Sequence, residues 1–506
     1  MLLVIQMLRK LSLVGVFFMT KNMHDVNHQT LLEEIAENWK LEAREEDNTR
    51  YFCFFKEVNK IREGKKSYII GRKGTGKTAI SEYIAKLDER EEKVFTEKLN
   101  FKRFPFNELY KLKDISYTPP SQYITLWKYL IYSVVCKMML RNSNINKDVQ
   151  ESLNLSYGSD KITTLPRQIV EWTSDEFEVL PIPEKNKSYT KTRIEDIPWI
   201  TKVEILEEII TRNLDDSIYY IIFDELDEDF RSVDSKEEFE PYTNLLTSLF
   251  KAVQDVRSVF SDFKKQIYPI IFLRDDIYRL IKDSDKNKWI DSKIELDWNT
   301  DKIKRLIAFR ISKAINKQSA ILDFDKAWGL IFNSSPVRMG NQQKREIPIF
   351  EFISRSTHLR PRDFIRYIQV CAQETLEGEN NGNLIIPETV KRVDKEFSNY
   401  LKDEIEDEIF PFLPEISDIL AVLSEIRKQT LLINEFKDAY NRHVKERTIK
   451  EANINYVLQL LYDFSVIGNK PNPNYNVFKY QNRQAQLNFN ENITIHRGLF
   501  KALQIL

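Results

Sequence analysis

Residues 71–78 read Gly71-Arg72-Lys73-Gly74-Thr75-Gly76-Lys77-Thr78, so three of the twelve glycines of this 506-residue chain lie within six positions. The spacing is typical of a loop whose backbone N–H groups surround phosphate oxygens, with a Lys ammonium at the β and γ oxygens and a Thr hydroxyl on Mg²⁺. Glycines suit it because the chain turns tightly where no side chain fits beside the anion. Residues 66–70 predict a strand before the loop, and residues 78–87 predict a helix whose N-terminus meets the phosphates. The predicted nucleotide-binding residues are Gly71, Arg72, Lys73, Gly74, Thr75, Gly76, Lys77, Thr78 and Ala79.

A second stretch, residues 217–225 (SIYYIIFDE), is a run of β-branched and aromatic residues that ends in Asp224 and Glu225. Such a run predicts a buried parallel strand with acids at its carboxyl end, which is the edge where open α/β sheets bind ligands. We expect Asp224 to lie beside Thr78 and to hold Mg²⁺ through water, and Glu225 to polarise the attacking water. The alternative is two acids that cap an ordinary strand.

A third strand is predicted over Gln266–Leu273, followed by Arg274. Pro269 does not suit the interior of a central strand, so we expect pairing to begin after it or the strand to start late. Arg274 would lie at the same edge as the acid pair and sense the γ-phosphate. The alternative is a surface arginine paired with Asp275 or Asp276.

Composition excludes some partners. The 76 Lys and Arg residues against 77 Asp and Glu residues leave a net charge of −1, so no global field attracts nucleic acid or an anionic membrane. Cys53, Cys136 and Cys371 lie far apart without metal or disulfide spacing. We therefore expect a reduced, cytoplasmic protein without a structural metal, in which Cys136 and Cys371 are core residues.

The first nineteen residues (MLLVIQMLRKLSLVGVFFM) are apolar but interrupted by Arg9 and Lys10, and are too short and too divided to span a bilayer. No small-residue cleavage site follows them. We expect translation to start at Met19 or Met23, with a small membrane-touching helix as the alternative.

The chain is predicted to hold an N-terminal extension and helix (1–50), an α/β core (51–300), a helical lid (301–401) and a last unit (411–506). Residues 141–200 are polar and predict an insertion that the core carries. The last unit predicts helices at 416–427, 433–444 and 452–464, then strands at 476–481 and 484–489. Three helices followed by a hairpin describe a winged helix.

The segments GRKGTGKTAI (71–80), IIFDELDE (221–228), FLRDDIY (272–278) and LRPRDFIRY (359–367) resemble bacterial P-loop ATPases of the AAA+/STAND assemblage. The plan of the chain, over about residues 50–500, is similar to origin-recognition-type AAA+ proteins. The resemblance implies an α/β P-loop NTPase core, a helical lid, a C-terminal winged helix, and the cofactors ATP and Mg²⁺.

The same resemblance implies the usual Walker roles for Lys77, Thr78, Asp224 and Glu225. It adds Arg274 and Arg362 as arginines near the γ-phosphate, although Phe272-Leu273 and Pro361 depart from the patterns of the relatives. The predicted catalytic residues are thus Glu225, Lys77, Arg274 and Arg362, and the predicted metal ligands are Thr78 and Asp224. Arg305 and Arg310 are the candidates for an arginine finger.

Three functions remain open from the sequence. The first is an ATP-hydrolysing switch, in bacterial defence or stress response, that works with a homo-oligomer or a protein partner. The second is a DNA-associated AAA+ ATPase, although the expected recognition helix at 452–464 has no Lys or Arg. The third, a scaffold without ATPase activity, is disfavoured because no catalytic position is lost.

Overall fold

The computed structural model describes residues 27–102, 106–115, 117–158, 164–174, 198–227, 236–339, 345–378, 384–450 and 452–505. The apolar segment before Met19 lies outside these ranges. The chain divides into two compact units, Phe54–Asp297 and the residues up to Cys53 together with Trp298–Leu506. Of the expected N-terminal extension (1–50), the described residues from Asn27 onward belong to the same unit as the C-terminal half. The finer division into lid and last domain stays a prediction.

The unit Phe54–Asp297 is built on a five-stranded parallel sheet with the order β2-β3-β4-β1-β5. The strands are β1 (Tyr68–Gly71), β2 (Val94–Asn100), β3 (Ile218–Asp224), β4 (Gln266–Arg274) and β5 (Lys293–Glu295). Residues of β3 and β4 are almost all buried, because helices cover both faces of a parallel sheet. The predicted α/β class with a parallel sheet is confirmed.

Pro269 lies inside β4, opposite Ile221 of β3. On the other side, β4 pairs with β1 only from Ile271 onward, and the Ile271 N–H donates to the Ser67 carbonyl at 2.7 Å. N–H groups two residues apart in a strand point to the same side. Residue 269 would therefore direct an N–H toward the side of β1, but β1 begins to pair only at Ile271, so the missing N–H of Pro269 costs no hydrogen bond with β1. The expectation that pairing begins after Pro269 therefore holds for β1 and is wrong for β3.

The helices of this unit are α3 (Lys56–Arg62), α4 (Lys77–Ala85), α5 (Phe106–Tyr110), α6 (Ile124–Met139), α7 (Lys147–Tyr157), α8 (Leu165–Thr173), α9 (Trp199–Asn213), α10 (Lys236–Asp262) and α11 (Asp275–Leu280). Short 3₁₀ segments cover Ser121–Tyr123 and Ser284–Ser292. Cys136 is buried on α6, as expected of a core residue.

Helices α7 and α8 lie within the polar stretch that we expected to be an insertion apart from the core. One face of each helix is buried, with Leu153 on α7 and Ile169 on α8, whereas Leu155 and Val170 are exposed. The hydroxyl of Tyr129 on α6 donates to the carbonyl of Trp172 on α8 at 2.7 Å. Tyr157 of α7 is within 3.2 Å of the Ser133 hydroxyl on α6. The described part of this stretch therefore packs on the core, because its few apolar residues recur at helical spacing.

The second unit begins with the helices α1 (His28–Asn38) and α2 (Asn48–Tyr51) and continues after residue 298. Its further elements are α12 (Thr300–Ile315), α13 (Phe324–Gly329), β6 (Val337–Arg338), β7 (Glu346–Ile347), α14 (Ile349–Ser356), α15 (Pro361–Glu377) and α16 (Pro387–Ile409). One hydrophobic core joins α1 to these helices, and it includes the buried Cys371. No helix in the described part of the chain is long and apolar enough to cross a membrane.

The last part of this unit contains α17 (Ile416–Ile426), β8 (Thr430–Leu431), α18 (Ile433–Lys445), α19 (Ile454–Asp463), β9 (Ile467–Asn472), β10 (Tyr475–Val477) and β11 (Asn492–Ile495). The strands form an antiparallel sheet with the order β10-β9-β11-β8. The three predicted helices are present. The strand expected at 484–489 is wrong, since residues 485–488 are irregular and β11 begins only at Asn492.

Candidate nucleotide-binding site

The glycine-rich loop joins β1 to α4 at the carboxyl edge of the sheet. Gly74 and Gly76 have φ angles of 77° and 93°, a conformation in which a Cβ is strained. Gly76 is the residue before the first helical position of α4. The first four N–H groups of a helix have no partner within it, so the loop presents backbone donors and the positive end of a helix dipole to any anion there.

Lys77 folds back over this loop. Its ammonium donates to the carbonyls of Gly71 at 2.9 Å and of Arg72 at 3.1 Å. Burial lowers the pKa of Lys77, while the nearby carboxylate of Asp227 acts in the opposite direction. The sequence predicts that this ammonium binds phosphate oxygens. The two loop carbonyls hold it at the N-terminus of α4, where such oxygens would bind.

Asp224 ends β3 and is buried. Its Oδ2 accepts a hydrogen bond from the Ser81 hydroxyl at 2.9 Å and forms an ion pair with the Lys98 ammonium at 2.8 Å, and its Oδ1 accepts the backbone N–H of Glu225 at 3.0 Å. Ser81 lies one helical turn after Thr78 on α4. The acid therefore contacts the helix that follows the glycine-rich loop through a serine that the sequence analysis did not name, and its predicted place beside Thr78 stays a prediction.

Lys98 is the second residue that the sequence analysis missed. It lies on β2 two residues before Asn100, which pairs with Asp224 in the sheet, and it also contacts Glu82 of α4 at 2.7 Å. Its side chain is 15% exposed. A lone lysine at an alternating position of a strand in a buried sheet is a signal that could have identified it.

Glu225 follows the strand with a φ of 59°, so the chain turns sharply directly after the sheet edge. A non-glycine residue in this region is strained and is commonly found at functional sites. The different roles predicted for Glu225 and Asp224 stay a prediction.

Arg274 ends β4 at the level of Gly71, with which it pairs in the parallel register. Its guanidinium contacts Asp276 at 2.5 Å and Asp227 at 3.8 Å. Both alternatives of the sequence analysis thus have support, because the arginine is paired with Asp276 and lies at the edge of the phosphate loop. It is 12% exposed, so it is not a surface side chain.

The remaining predicted arginines lie in the other unit. Arg362, in the first turn of α15, contacts Glu42 at 2.9 Å and Glu404 at 3.4 Å, and its role at a phosphate stays a prediction. Arg310 is buried and pairs with Glu46 at 2.6 Å, so it is wrong as an arginine finger, which must reach another active site. Arg305 is exposed on α12.

The donor set near α4 fits Mg²⁺ because Thr78 and Asp224 offer oxygen atoms. Within the described ranges, no three His, Cys, Asp or Glu side chains form a metal cluster. Mg²⁺ is commonly bound through one or two protein oxygens plus water and substrate phosphates, and this small donor set matches that pattern. The loop, the helix and the acid-tipped strand together define a P-loop NTPase core.

One family model matches part of the C-terminal half of the chain, and two solved structures match nearly its whole length. The family described as the FunZ-associated C-terminal helical domain matches residues 301–406. Among solved structures, a chain of Drosophila ORC bound to DNA is 11% identical with a TM-score of 0.28, and the match covers 95% of this chain and 92% of that chain. Cdc6p from Pyrobaculum aerophilum is 11% identical with a TM-score of 0.30, covering 94% and 96%. No curated protein matches the chain.

Proposed function

We propose that this protein binds ATP with Mg²⁺ on the loop 71–79 and hydrolyses it. The observation that carries the proposal is the hydrogen bond between Ser81 on the loop helix and Asp224 at the end of β3. It joins the phosphate-binding element to the acidic strand at one edge of a parallel sheet, where such folds bind nucleotides. The nearby Lys77 and Glu225 complete the set that phosphoryl transfer needs.

Each residue has a distinct part in this proposal. The backbone N–H groups around Gly74 and Gly76 bind the β-phosphate, and Lys77 neutralises charge on the β and γ oxygens. Thr78 and Asp224 would hold Mg²⁺, which would supply charge neutralisation at the phosphate oxygens. Glu225 orients the attacking water and accepts its proton.

We propose that Arg274 responds to the γ-phosphate, since it ends β4 beside the loop. Asp227, which its guanidinium contacts, is also a carboxylate near Lys77. An ATP that withdraws Arg274 from Asp276 would change the start of α11, which directly follows β4. This link supports a nucleotide-controlled switch. Bacterial defence or stress response as its setting rests on the resemblance alone.

We infer that α17, α18 and α19 with the antiparallel sheet form a winged helix, because the three helices are followed by the strands β9, β10 and β11. DNA binding through it has less support. Helix α19 carries no Lys or Arg, and on α18 both Arg442 and His443 contact Glu425, at 3.0 and 2.7 Å. The charge of Arg442 is therefore partly neutralised within the protein, which favours a protein contact over a phosphate backbone.

The proposal is tested with Lys77→Ala, which removes the ammonium from the loop. ATP affinity measured by calorimetry is expected to fall about 10- to 100-fold, the magnitude of a lost hydrogen bond to a charged group. The matched control is Lys86→Ala at the other end of α4, which is expected to bind ATP as the wild type does. Unchanged affinity of Lys77→Ala would remove the phosphate-binding interpretation.

A further inference from the structure

Lys98, Glu82 and Asp224 form a buried group of one cation and two carboxylates at the carboxyl edge of the sheet. The Lys98 ammonium is 2.7 Å from Glu82 Oε1 and 2.8 Å from Asp224 Oδ2. The three side chains are 15%, 17% and 4% exposed, respectively. Because water is largely excluded, the positive charge of Lys98 acts on Asp224 with little screening.

Among the described residues, three contacts occupy the carboxylate of Asp224, which when ionised has about four lone-pair sites. Oδ2 accepts the Ser81 hydroxyl and forms the ion pair with Lys98, and Oδ1 accepts the backbone N–H of Glu225. A metal-bound water would donate to Oδ1 while Lys98 stays at Oδ2.

Two contacts hold Asp224 independently of Lys98, namely the Ser81 hydroxyl and the Glu225 N–H. Removal of Lys98 would thus change the charge at the carboxylate more than its direction. Glu82 divides the charge of Lys98 between two carboxylates, so Glu82 weakens the effect of Lys98 on Asp224. The two residues are therefore expected to act on a metal at Asp224 with opposite signs.

We propose that Lys98 is a resident cation that neutralises Asp224 in the nucleotide-free protein, so that Mg²⁺ binds together with ATP and not before it. The inference rests on the proposed Mg²⁺·ATP site. Lys98 is a positioning residue in this scheme, since it acts on the metal through Asp224. Glu82 sets how much of the charge of Lys98 reaches that carboxylate.

The test is equilibrium binding of Mg²⁺ to the nucleotide-free protein, by calorimetry with magnesium chloride. Lys98→Met keeps the length of the side chain without its charge, and is expected to bind Mg²⁺ at a concentration at least tenfold lower than the wild type. Glu82→Gln leaves Lys98 on Asp224 alone, and is expected to raise at least threefold the Mg²⁺ concentration needed for tight ATP binding. ATP binding in EDTA and the thermal transition report whether each variant is folded.

The matched control is Lys93→Met. Lys93 pairs with Asp216 at 3.0 Å at the opposite end of the same two strands, so its loss removes a lysine–carboxylate pair of the same sheet, exposed in this case, away from the site. It is expected to leave both Mg²⁺ measurements unchanged.

A purely structural role for Lys98 predicts that Lys98→Met and Glu82→Gln shift Mg²⁺ binding in the same direction, and this result would overturn the inference. So would a Lys98→Met protein with the Mg²⁺ affinity of the wild type. If Lys98→Met does not fold, Glu82→Gln decides, because an unchanged or lower Mg²⁺ requirement contradicts the proposal. A wild-type protein that binds no ATP would instead refute the proposed function.

Discussion

Glu225 combines an acidic side chain with a φ of 59°, directly after the buried strand β3. A left-handed conformation costs a residue with a Cβ roughly 1–2 kcal/mol. The strain lies at the carboxyl edge of the sheet, where the proposed nucleotide would bind. A strained residue at such a position favours a catalytic function over the capping of a strand end.

Glu225→Gln is expected to bind ATP and Mg²⁺ but to hydrolyse ATP about 100- to 10,000-fold more slowly, the usual contribution of a general base. The amide keeps the size of the side chain and loses the charge that polarises water. Phosphate release and the nucleotide retained after gel filtration measure the two properties. Under the switch proposal, the retained ATP also changes protease sensitivity persistently.

Asp224→Ala is the matching variant, because it removes the proposed Mg²⁺ contact and is expected to lose the ATP complex itself. Hydrolysis by Glu225→Gln at the wild-type rate would refute the assignment of the base. ATP retention without a change in protease sensitivity would keep the chemistry and refute the switch.

Helix α4 depends on two glycines of the loop in different ways. Gly76 has a φ of 93°, and no atom lies within 4 Å of a Cβ placed there, so the requirement for glycine is conformational. At Gly71 a Cβ would meet the Thr75 hydroxyl at 2.6 Å, so the requirement is space. The same oxygen of Thr75 donates to the Arg72 carbonyl at 2.7 Å, which closes the loop.

Gly76→Ala is expected to destabilise the protein by roughly 1–2 kcal/mol, because alanine must adopt a left-handed conformation without a clash. Urea unfolding gives the free-energy change. The control is Gly329→Ala at the end of α13, where the position is equally open and has no positive φ. It is expected to be neutral or to stabilise by up to about 1 kcal/mol. Equal effects of the two variants would contradict the conformational explanation.

The unit that contains the C-terminal half also includes residues from the beginning of the described chain, and these residues form part of its hydrophobic core. Trp39 is fully buried there, and the Arg310 guanidinium lies 4.6 Å from its ring centroid. The side chain of Gln369 on α15 donates to the Trp39 carbonyl at 3.0 Å. Segments more than 250 residues apart in sequence thus share one core.

Trp39→Ala is expected to lower the free energy of unfolding of this unit by about 3–5 kcal/mol, since it leaves a large cavity. The cation–π contact of Arg310 is lost at the same time. Chemical denaturation followed by circular dichroism measures the change. Phe410→Ala is the control, because Phe410 is 56% exposed in the same unit and its loss should cost no more than about 0.5 kcal/mol. A similar loss in both variants would show that Trp39 is not part of the core.

The sequence by itself determined the phosphate loop, the acidic strand and the parallel sheet. These depend on local rules, since glycine alone tolerates the loop backbone and a continuous run of β-branched and aromatic residues is stable only as a buried strand. Residues 484–489 were predicted as the last strand, whereas the structure leaves 485–488 irregular and begins β11 at Asn492, so the prediction was too early. Residues 141–200 looked like an insertion because their apolar positions are few.

Only the tertiary structure decided which residues surround Asp224. Ser81 and Lys98 lie 143 and 126 positions from it in sequence, and nothing local to either residue identifies the carboxylate that it contacts. The sheet order places β2 beside β3 and turns Lys98 toward α4. The same holds for Arg310, which the sequence made a candidate finger and the fold buries between Trp39 and Glu46. Charge partners are set by strand order and helix packing, because ion pairs form between whichever groups the buried apolar surfaces bring together.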